Sequence, residues 1–172
     1  MIYFSGFSLA GESEIFREYL DNVAGNPYVV AGFSYGAIKA VEYACTSTDR
    51  IDKIILLSPA YFVGQSPAFI KAQLRYYKKD PVAYIEKFFV NAAYPTSYSL
   101  KRYSRMSTVE ELEELLFYPW SEEKLLPLIE RGINIETYLG GRDRIVDAEA
   151  AHDFFKKYTT SYLFKPFGHL LR

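Results

Sequence analysis

Short apolar runs alternate along the chain with longer stretches in which apolar residues recur at helical spacing. The run at 28–33 is apolar along almost its whole length, as expected for a strand that is covered on both faces. This alternation is typical of strand–helix–strand units and predicts a parallel sheet. The predicted strands are residues 2–5, 28–33, 54–57, 133–139 and 161–164. The predicted helices are residues 13–24, 35–47, 67–79, 82–94, 107–118, 121–130 and 147–158.

Boundary residues support several of these helices. Ser13 can cap the first helix, and Ser107 with Glu110 has the spacing of a capping box. Pro127 is expected to kink or split the helix that contains it, because proline has no amide hydrogen to donate.

The predicted helices between 61 and 131 follow one another without an intervening strand. The pattern therefore predicts an α/β core formed by residues 1–60 and 132–172, and a helical lid inserted at 61–131. A chain of 172 residues, 49% hydrophobic and 24% charged, is long enough to bury such a core as one globular unit.

Composition excludes several classes of protein. A single cysteine excludes a disulfide framework and a multi-cysteine metal site, and it fits a reducing compartment. The net charge of −1 argues against nucleic-acid binding, which needs a basic excess. The N-terminus lacks the basic start of a secretory signal, and no apolar run reaches the ~18 residues of a membrane-spanning helix. We therefore expect a cytoplasmic protein with no metal, cofactor or membrane partner.

The strongest chemical signal is Gly32-Phe33-Ser34-Tyr35-Gly36, which follows an apolar strand and precedes a helix. A serine on so tight a turn presents its hydroxyl at the edge of the sheet, and the flanking positions need small residues because the backbone is close. Ser34 is therefore the predicted nucleophile. The alternative is a structural turn with a spectator serine.

A serine nucleophile needs a base and an acid. His169 follows the last predicted strand, where a loop can carry it over the carboxyl edge of the sheet, whereas His152 lies within a predicted helix. Asp143 follows the fourth strand and a Gly-Gly turn, and its rival Asp147 is better placed to cap a helix. The predicted triad is Ser34, Asp143 and His169, with the alternative that His169 is an unpartnered residue near the chain end.

An oxyanion hole needs two backbone amides. The amide of Tyr35, directly after the nucleophile, is the first candidate, and that of Phe7, in the loop after the first strand, is the second. The alternative for the loop is a plain glycine turn.

Charge is unevenly distributed in the insert. Residues 62–105 hold eight basic and two acidic side chains, and residues 106–131 hold seven acidic and two basic ones. Either these are solvated helix faces, or the basic half docks an acidic partner. The candidate docking residues are Lys71, Arg75, Lys78, Lys79, Lys101, Arg102 and Arg105.

Four motifs together resemble the α/β-hydrolase superfamily along the whole chain. They are Phe4-Ser5-Gly6-Phe7, Gly32-Phe33-Ser34-Tyr35-Gly36, Gly140-Gly141-Arg142-Asp143 and Phe167-Gly168-His169. The resemblance implies a trimmed α/β-hydrolase fold, with about five mostly parallel strands, flanking helices and a helical lid. Ser5 departs from the family pattern, because many members have histidine before the glycine.

More specifically, the compact chain, its elbow and its aromatic, basic insert resemble the short-form pimeloyl-[acyl-carrier protein] methyl ester esterases of biotin synthesis. This resemblance implies hydrolysis of pimeloyl-acyl carrier protein methyl ester to pimeloyl-acyl carrier protein and methanol, with acyl carrier protein as partner. Three alternatives stay open: a general small-ester carboxylesterase or thioesterase, a non-catalytic binding protein, and an acyltransferase.

Overall fold

The computed structural model describes residues 1–172, and its five strands form one parallel sheet in which spatial order follows chain order. Parallel pairing places the carboxyl ends of all strands at one edge of the sheet. The number and direction of the strands confirm the sequence prediction. The strands are β1 (Ile2–Phe4), β2 (Val29–Phe33), β3 (Lys53–Leu57), β4 (Asn134–Gly140) and β5 (Thr160–Phe164).

Seven α-helices accompany the sheet. They are α1 (Arg17–Leu20), α2 (Tyr35–Thr46), α3 (Pro67–Lys79), α4 (Pro81–Ala93), α5 (Val109–Phe117), α6 (Glu122–Glu130) and α7 (Ala148–Phe155). Residues 61–131 contribute α3 to α6 and no strand. None of the helices has the length and the apolar character needed to cross a membrane.

The middle of the sheet is the most deeply buried part of the protein. Every residue of β2 is buried, and its last residue, Phe33, pairs in register with Leu57 at the end of β3. The apolar face of α2 buries Ile38 and Val41 in the same core. The turn between β2 and α2 is consequently held on a rigid base.

The prediction of one helix over 13–24 is wrong. The segment forms a 3₁₀ turn (Glu12–Phe16), the single turn α1 and a second 3₁₀ turn (Asp21–Val23), and Ser13 caps none of them. Its first residue, Glu12, is fully buried and hydrogen-bonded to the loop after β1. The segment therefore follows this inward contact instead of a regular helical path.

The predicted capping box is displaced by one residue. Thr108 and Glu111, instead of Ser107 and Glu110, form a reciprocal box at the start of α5. Ser107 is buried, where its hydroxyl pairs with that of Ser8, so it is not available as a cap. In α6, the helix continues past Pro127 without being split.

Candidate active site

Ser34 occupies a sharp turn between β2 and α2. Its backbone has φ 53° and ψ −113°, a conformation that non-glycine residues rarely adopt. A Cβ atom on Gly32 would lie 2.1 Å from the carbonyl oxygen of Gly36, and one on Gly36 would lie 1.9 Å from that of Phe4. Both glycines are therefore required by close backbone packing, as the motif predicted.

The hydroxyl of Ser34 is buried and has no hydrogen-bond partner within the protein. The backbone around it is firmly held, since the Ser34 amide donates to the carbonyl of Leu57 (2.8 Å) and its carbonyl accepts from the amide of Ala60 (3.2 Å). A strained, well-fixed serine with an unpaired hydroxyl is typical of a functional site.

Asp143 and His169 form a buried hydrogen-bonded pair. Nδ1 of His169 lies 2.6 Å from Oδ2 of Asp143, and both side chains are 0% exposed. Oδ1 of Asp143 accepts from the amides of Ile145 (2.6 Å) and Val146 (3.1 Å). When the carboxylate is ionised and the imidazole neutral, Nδ1 donates in this pair and Nε2 is a free acceptor. Nε2 of His169 is buried without a partner.

The loop carrying His169 is packed against both the sheet and the insert. A Cβ atom on Gly140 would lie 2.1 Å from the carbonyl oxygen of Gly168, and one on Gly168 would lie 1.7 Å from that of Tyr94. The imidazole of His169 packs against the ring of Phe33, with centroids 5.0 Å apart. His169 is thus seated beside the residue that precedes Ser34, although Ser34 and His169 form no hydrogen bond with each other.

The backbone amides of Tyr35 and Phe7 are both free to donate. Neither the Tyr35 amide, at the N-terminus of α2, nor the Phe7 amide, after β1, donates within the protein. The dipole of α2 adds positive potential at its N-terminus. These are the two amides predicted from the sequence as an oxyanion hole.

Asp147 and His152, the alternatives to Asp143 and His169, have other roles. Asp147 caps α7, because its carboxylate accepts from the amide of Ala150 at 3.0 Å, which confirms the capping prediction. Nδ1 of His152 lies 2.9 Å from the hydroxyl of Ser161, on the pair formed by α7 and β5. Neither side chain contacts the Asp143–His169 pair by a hydrogen bond.

A cavity of about 600 Å³ lies between the insert and the carboxyl edge of the sheet. Phe7 and Ile145 contribute to its floor, whereas Ser34 and His169 do not line it. Most of the lining is hydrophobic and comes from α3, α4 and α5. Its polar lining residues are Gln73, Lys79, Asp80, Lys87, Asn91 and Arg144.

Two tyrosines of the insert differ in acidity: Tyr84, which lines this cavity, and Tyr94, which does not. Burial raises the pKa of Tyr84 to about 12, so this residue stays neutral at physiological pH. The hydrogen bond from Arg142 lowers the pKa of Tyr94, whose ring is also covered by Arg144 with the guanidinium 3.2 Å from its centroid. No group of three or more histidine, cysteine, aspartate or glutamate side chains is positioned to hold a metal ion.

The predicted docking residues fall into two groups. Arg102 pairs with Glu14 at 2.6 Å, and Arg105 pairs with Glu111 at 2.8 Å, so these two bind acids of this chain. Lys78 lies 3.7 Å from a carboxylate oxygen of Glu113. The members that are exposed and form no ion pair are Lys71, Arg75, Lys79 and Lys101.

Comparison with known proteins identifies the fold of the chain but no close relative. No protein-family profile matches the chain, and no curated protein matches it. Among solved structures, a hydrolase from Oleispira antarctica superposes with a TM-score of 0.72 at 11% identity, over 99% of this chain and 84% of that one. The chain has the α/β-hydrolase fold.

Two further structures with this fold show how the chain compares in length. BioG from Haemophilus influenzae matches with a TM-score of 0.56 at 14% identity, over 98% of this chain and 87% of that one. An esterase from Exiguobacterium antarcticum matches with a TM-score of 0.55 at 16% identity, over 90% of this chain but only 64% of the esterase. The chain is thus a trimmed form of the α/β-hydrolase fold.

Ser34, Asp143 and His169 follow one another along the chain in the order that the nucleophile, the acid and the histidine have in the α/β-hydrolase fold.

Sequence reasoning missed the buried polar residue Glu12. Glu12 has 0% of its surface exposed and accepts a hydrogen bond from the Gly6 amide at 2.8 Å. The stretch Gly11-Glu12-Ser13-Glu14 is polar, which predicts exposure, and only the structure shows that Glu12 is buried.

Proposed function

We propose that the protein is a serine carboxylesterase in which Ser34 is the nucleophile, His169 the base and Asp143 the acid. The observation that carries the proposal is the buried Asp143–His169 hydrogen bond of 2.6 Å, which leaves Nε2 of His169 free to accept a proton. The strained elbow places Ser34 at the same edge of the sheet.

The reaction proceeds in two steps. Nε2 of His169 takes the proton of Ser34 as its hydroxyl oxygen attacks the ester carbonyl, and the Phe7 and Tyr35 amides bind the negative oxygen of the tetrahedral intermediate. The C–O bond to the alcohol then breaks, and His169 returns the proton to the departing alkoxide. Water, deprotonated by His169, attacks the acyl-enzyme and releases the carboxylate and Ser34.

The cavity supports an acyl chain as substrate. Its hydrophobic walls and volume of about 600 Å³ suit an extended aliphatic chain of medium length, and Phe7 is part of its lining. Because the Ser34 hydroxyl is closed off from this cavity, we expect residues 61–131 to act as a lid that moves when substrate binds.

The specific substrate proposed is the methyl ester of pimeloyl-acyl carrier protein, with methanol as the second product. Its support is the resemblance of the elbow and insert to short-form esterases of biotin synthesis, together with the free basic surface of the insert. Acidic carrier proteins complement exposed lysine and arginine side chains. Docking would use Lys71, Arg75, Lys79 and Lys101, while Arg102 and Arg105 are already paired with Glu14 and Glu111 of this chain.

The decisive experiment compares wild type with Ser34→Ala on the carrier-bound methyl ester and on a small free methyl ester. Loss of the nucleophile is expected to lower kcat by several orders of magnitude on both, as in other triad enzymes. Ser58→Ala is the matched control, since Ser58 is also buried, unpaired and at positive φ but lies after β3. This variant is expected to keep its activity.

Each outcome has a distinct meaning. Near-normal turnover by Ser34→Ala would refute the nucleophile assignment. Equal kcat/KM on the two esters would favour a general carboxylesterase over a carrier-specific one. A wild type that neither hydrolyses esters nor reacts with a fluorophosphonate at Ser34 would favour a non-catalytic binding protein.

A further inference from the structure

A fully buried carboxylate lies behind the loop that carries the Phe7 amide. Oε1 of Glu12 accepts from the Gly6 amide at 2.8 Å and from the hydroxyl of Tyr3 at 3.1 Å, while Oε2 has no partner. Burial, followed by the charge of Glu12, raises the pKa of Tyr3 well above its usual range, so Tyr3 remains a hydrogen donor to the carboxylate.

This carboxylate restrains the residue on which the direction of the Phe7 amide depends. The carbonyl of Gly6 accepts from the Leu9 amide at 3.1 Å, and the Gly6 amide is held by Glu12. In a trans peptide, the carbonyl of Gly6 and the N–H of Phe7 point in opposite directions in one plane. Fixing both sides of Gly6 therefore fixes where the Phe7 amide points.

Gly6 needs such restraint because it has no side chain to limit its backbone conformation. Glycine has the widest choice of backbone conformations, yet a side chain is excluded here, since a Cβ atom on Gly6 would lie 2.7 Å from the ring of Phe33. The loop cannot be stiffened by a bulkier residue at this position. A hydrogen bond to the Gly6 amide restrains its backbone without a side chain at this position.

Stability alone does not account for a charged group at this position. Burying a carboxylate is unfavourable unless it is paired and fully hydrogen-bonded. Glu12 takes part in none of the ion pairs of the protein, and one of its oxygens is unsatisfied. A buried polar atom without a partner calls for an explanation, and a role in the reaction is one such explanation.

We propose that Glu12 is a positioning residue for the oxyanion hole: by binding the Gly6 amide, it aims the Phe7 amide at the oxygen that becomes negative in the transition state. The proposal rests on the serine esterase function proposed above. It predicts an effect on the chemical step rather than on substrate binding, because the oxyanion forms only during reaction.

The test uses three substitutions of Glu12 in the full-length protein. Glu12→Gln keeps an acceptor oxygen at the same reach, Glu12→Asp keeps the charge but shortens the side chain, and Glu12→Ala removes both. We expect Glu12→Asp and Glu12→Ala to lower kcat roughly tenfold to a hundredfold with KM nearly unchanged. This loss of kcat is smaller than the loss caused by removing a whole oxyanion-hole donor. Glu12→Gln is expected to stay within about threefold of wild type.

A second readout separates positioning from a merely structural role. An arylboronic acid forms a tetrahedral adduct with a nucleophilic serine and places an oxygen in the oxyanion hole. Its affinity should therefore fall together with kcat in the Glu12→Asp and Glu12→Ala variants. Active sites are counted by fluorophosphonate titration, which removes any effect of unfolded protein. Glu14→Gln is the matched control, since Glu14 lies in the same turn and contacts Arg102 instead of Gly6.

Unchanged kcat and boronate affinity in Glu12→Asp would overturn the proposal. A Glu12→Gln variant as impaired as Glu12→Asp would also overturn it, because an acceptor oxygen at the right reach would then not be sufficient. If Glu12→Ala does not fold, the Gln and Asp pair decides. A wild type without fluorophosphonate labelling at Ser34 would instead refute the esterase function itself. Labelling and turnover that depend on Ser34, with all Glu12 variants at wild-type level, would refute only the role of Glu12.

Discussion

At the scale of single residues, unfavourable features converge on the carboxyl edge of the sheet. Ser34 is held at a φ of 53°, and its hydroxyl and Nε2 of His169 are both buried without partners. Leaving a buried polar group unpaired costs about 1–3 kcal/mol. A protein of ordinary stability tolerates such features where they serve a reaction, and a proton acceptor beside an unpaired hydroxyl is suited to nucleophilic catalysis.

The two aspartates near this edge should respond differently to removal of charge. Asp143→Asn is expected to lower kcat by about 10⁴, because the amide would no longer hold His169 with Nε2 free to accept a proton. Asp147→Asn should keep kcat, since Asn also caps helices well. Steady-state kinetics on one free ester, with His152→Gln as a further control, measures both. A larger loss in Asp147→Asn would transfer the acid role to that residue.

At the scale of elements, the insert is attached to the loop after β1 by backbone pairing. The amide of Ala10 donates to the carbonyl of Tyr103 at 2.8 Å, and that of Arg105 donates to the carbonyl of Ser8 at 2.8 Å. The loop that holds Phe7 therefore shares hydrogen bonds with the segment preceding α5. Movement of α5 would be transmitted directly to this loop.

Glu111 at the start of α5 forms a pH-dependent ion pair with Arg105, the residue whose backbone amide takes part in this attachment. Its hydrogen bonds with Arg105 hold the pKa of its carboxyl below the usual range, against the opposing effect of burial. A lowered folded-state pKa stabilises the protein above the ordinary carboxyl pKa, and this contribution is lost as pH falls through the lowered value.

We therefore expect Glu111→Gln to destabilise the fold by about 1 kcal/mol at neutral pH, the usual value of one helix cap. The difference from wild type should shrink on acidification. Urea unfolding at pH 7 and pH 3 measures it, with Glu113→Gln as a matched control on the same helix. A penalty that stays constant between the two pH values would contradict the ionic role of Glu111.

At the scale of the whole molecule, charge on the insert is partly used internally. The ion pair of Arg102 with Glu14 joins the insert to the segment after β1, whereas that of Arg105 with Glu111 lies within the insert. Exposed side chains without ion pairs remain on and beside α3, among them Lys71, Arg75 and Lys79. An acidic partner would meet these first.

Reversing the charge of Lys71 and Arg75, which do not line the cavity, to Glu should lower kcat/KM for carrier-bound ester about tenfold at low salt, and less at moderate salt. Hydrolysis of a free ester should hardly change. Reversal of Lys157 and Lys165, exposed outside the insert, is the matched control. Parallel changes on both esters would remove the docking role. Reversal of Arg102 and Arg105 should instead lower stability, because it breaks internal pairs.

The local sequence pattern was enough to predict the structural features that depend on residues close together in the chain. Apolar runs predicted the five parallel strands, glycine spacing predicted the elbow at Ser34, and the position of Asp147 predicted its cap, since each is decided within a few residues. The roles predicted for Ser34, Asp143 and His169 stay predictions until they are measured.

Tertiary structure alone decided the features that depend on distant partners. Glu12 is buried because the fold brings it to Gly6, which diverts the helix predicted over 13–24. Ser107 is withdrawn from capping by Ser8, 99 residues away, and Arg102 is taken by Glu14, 88 residues away. Hydrophobic periodicity describes which face of an element is buried, whereas the partner of a polar side chain is set by which elements the fold places together.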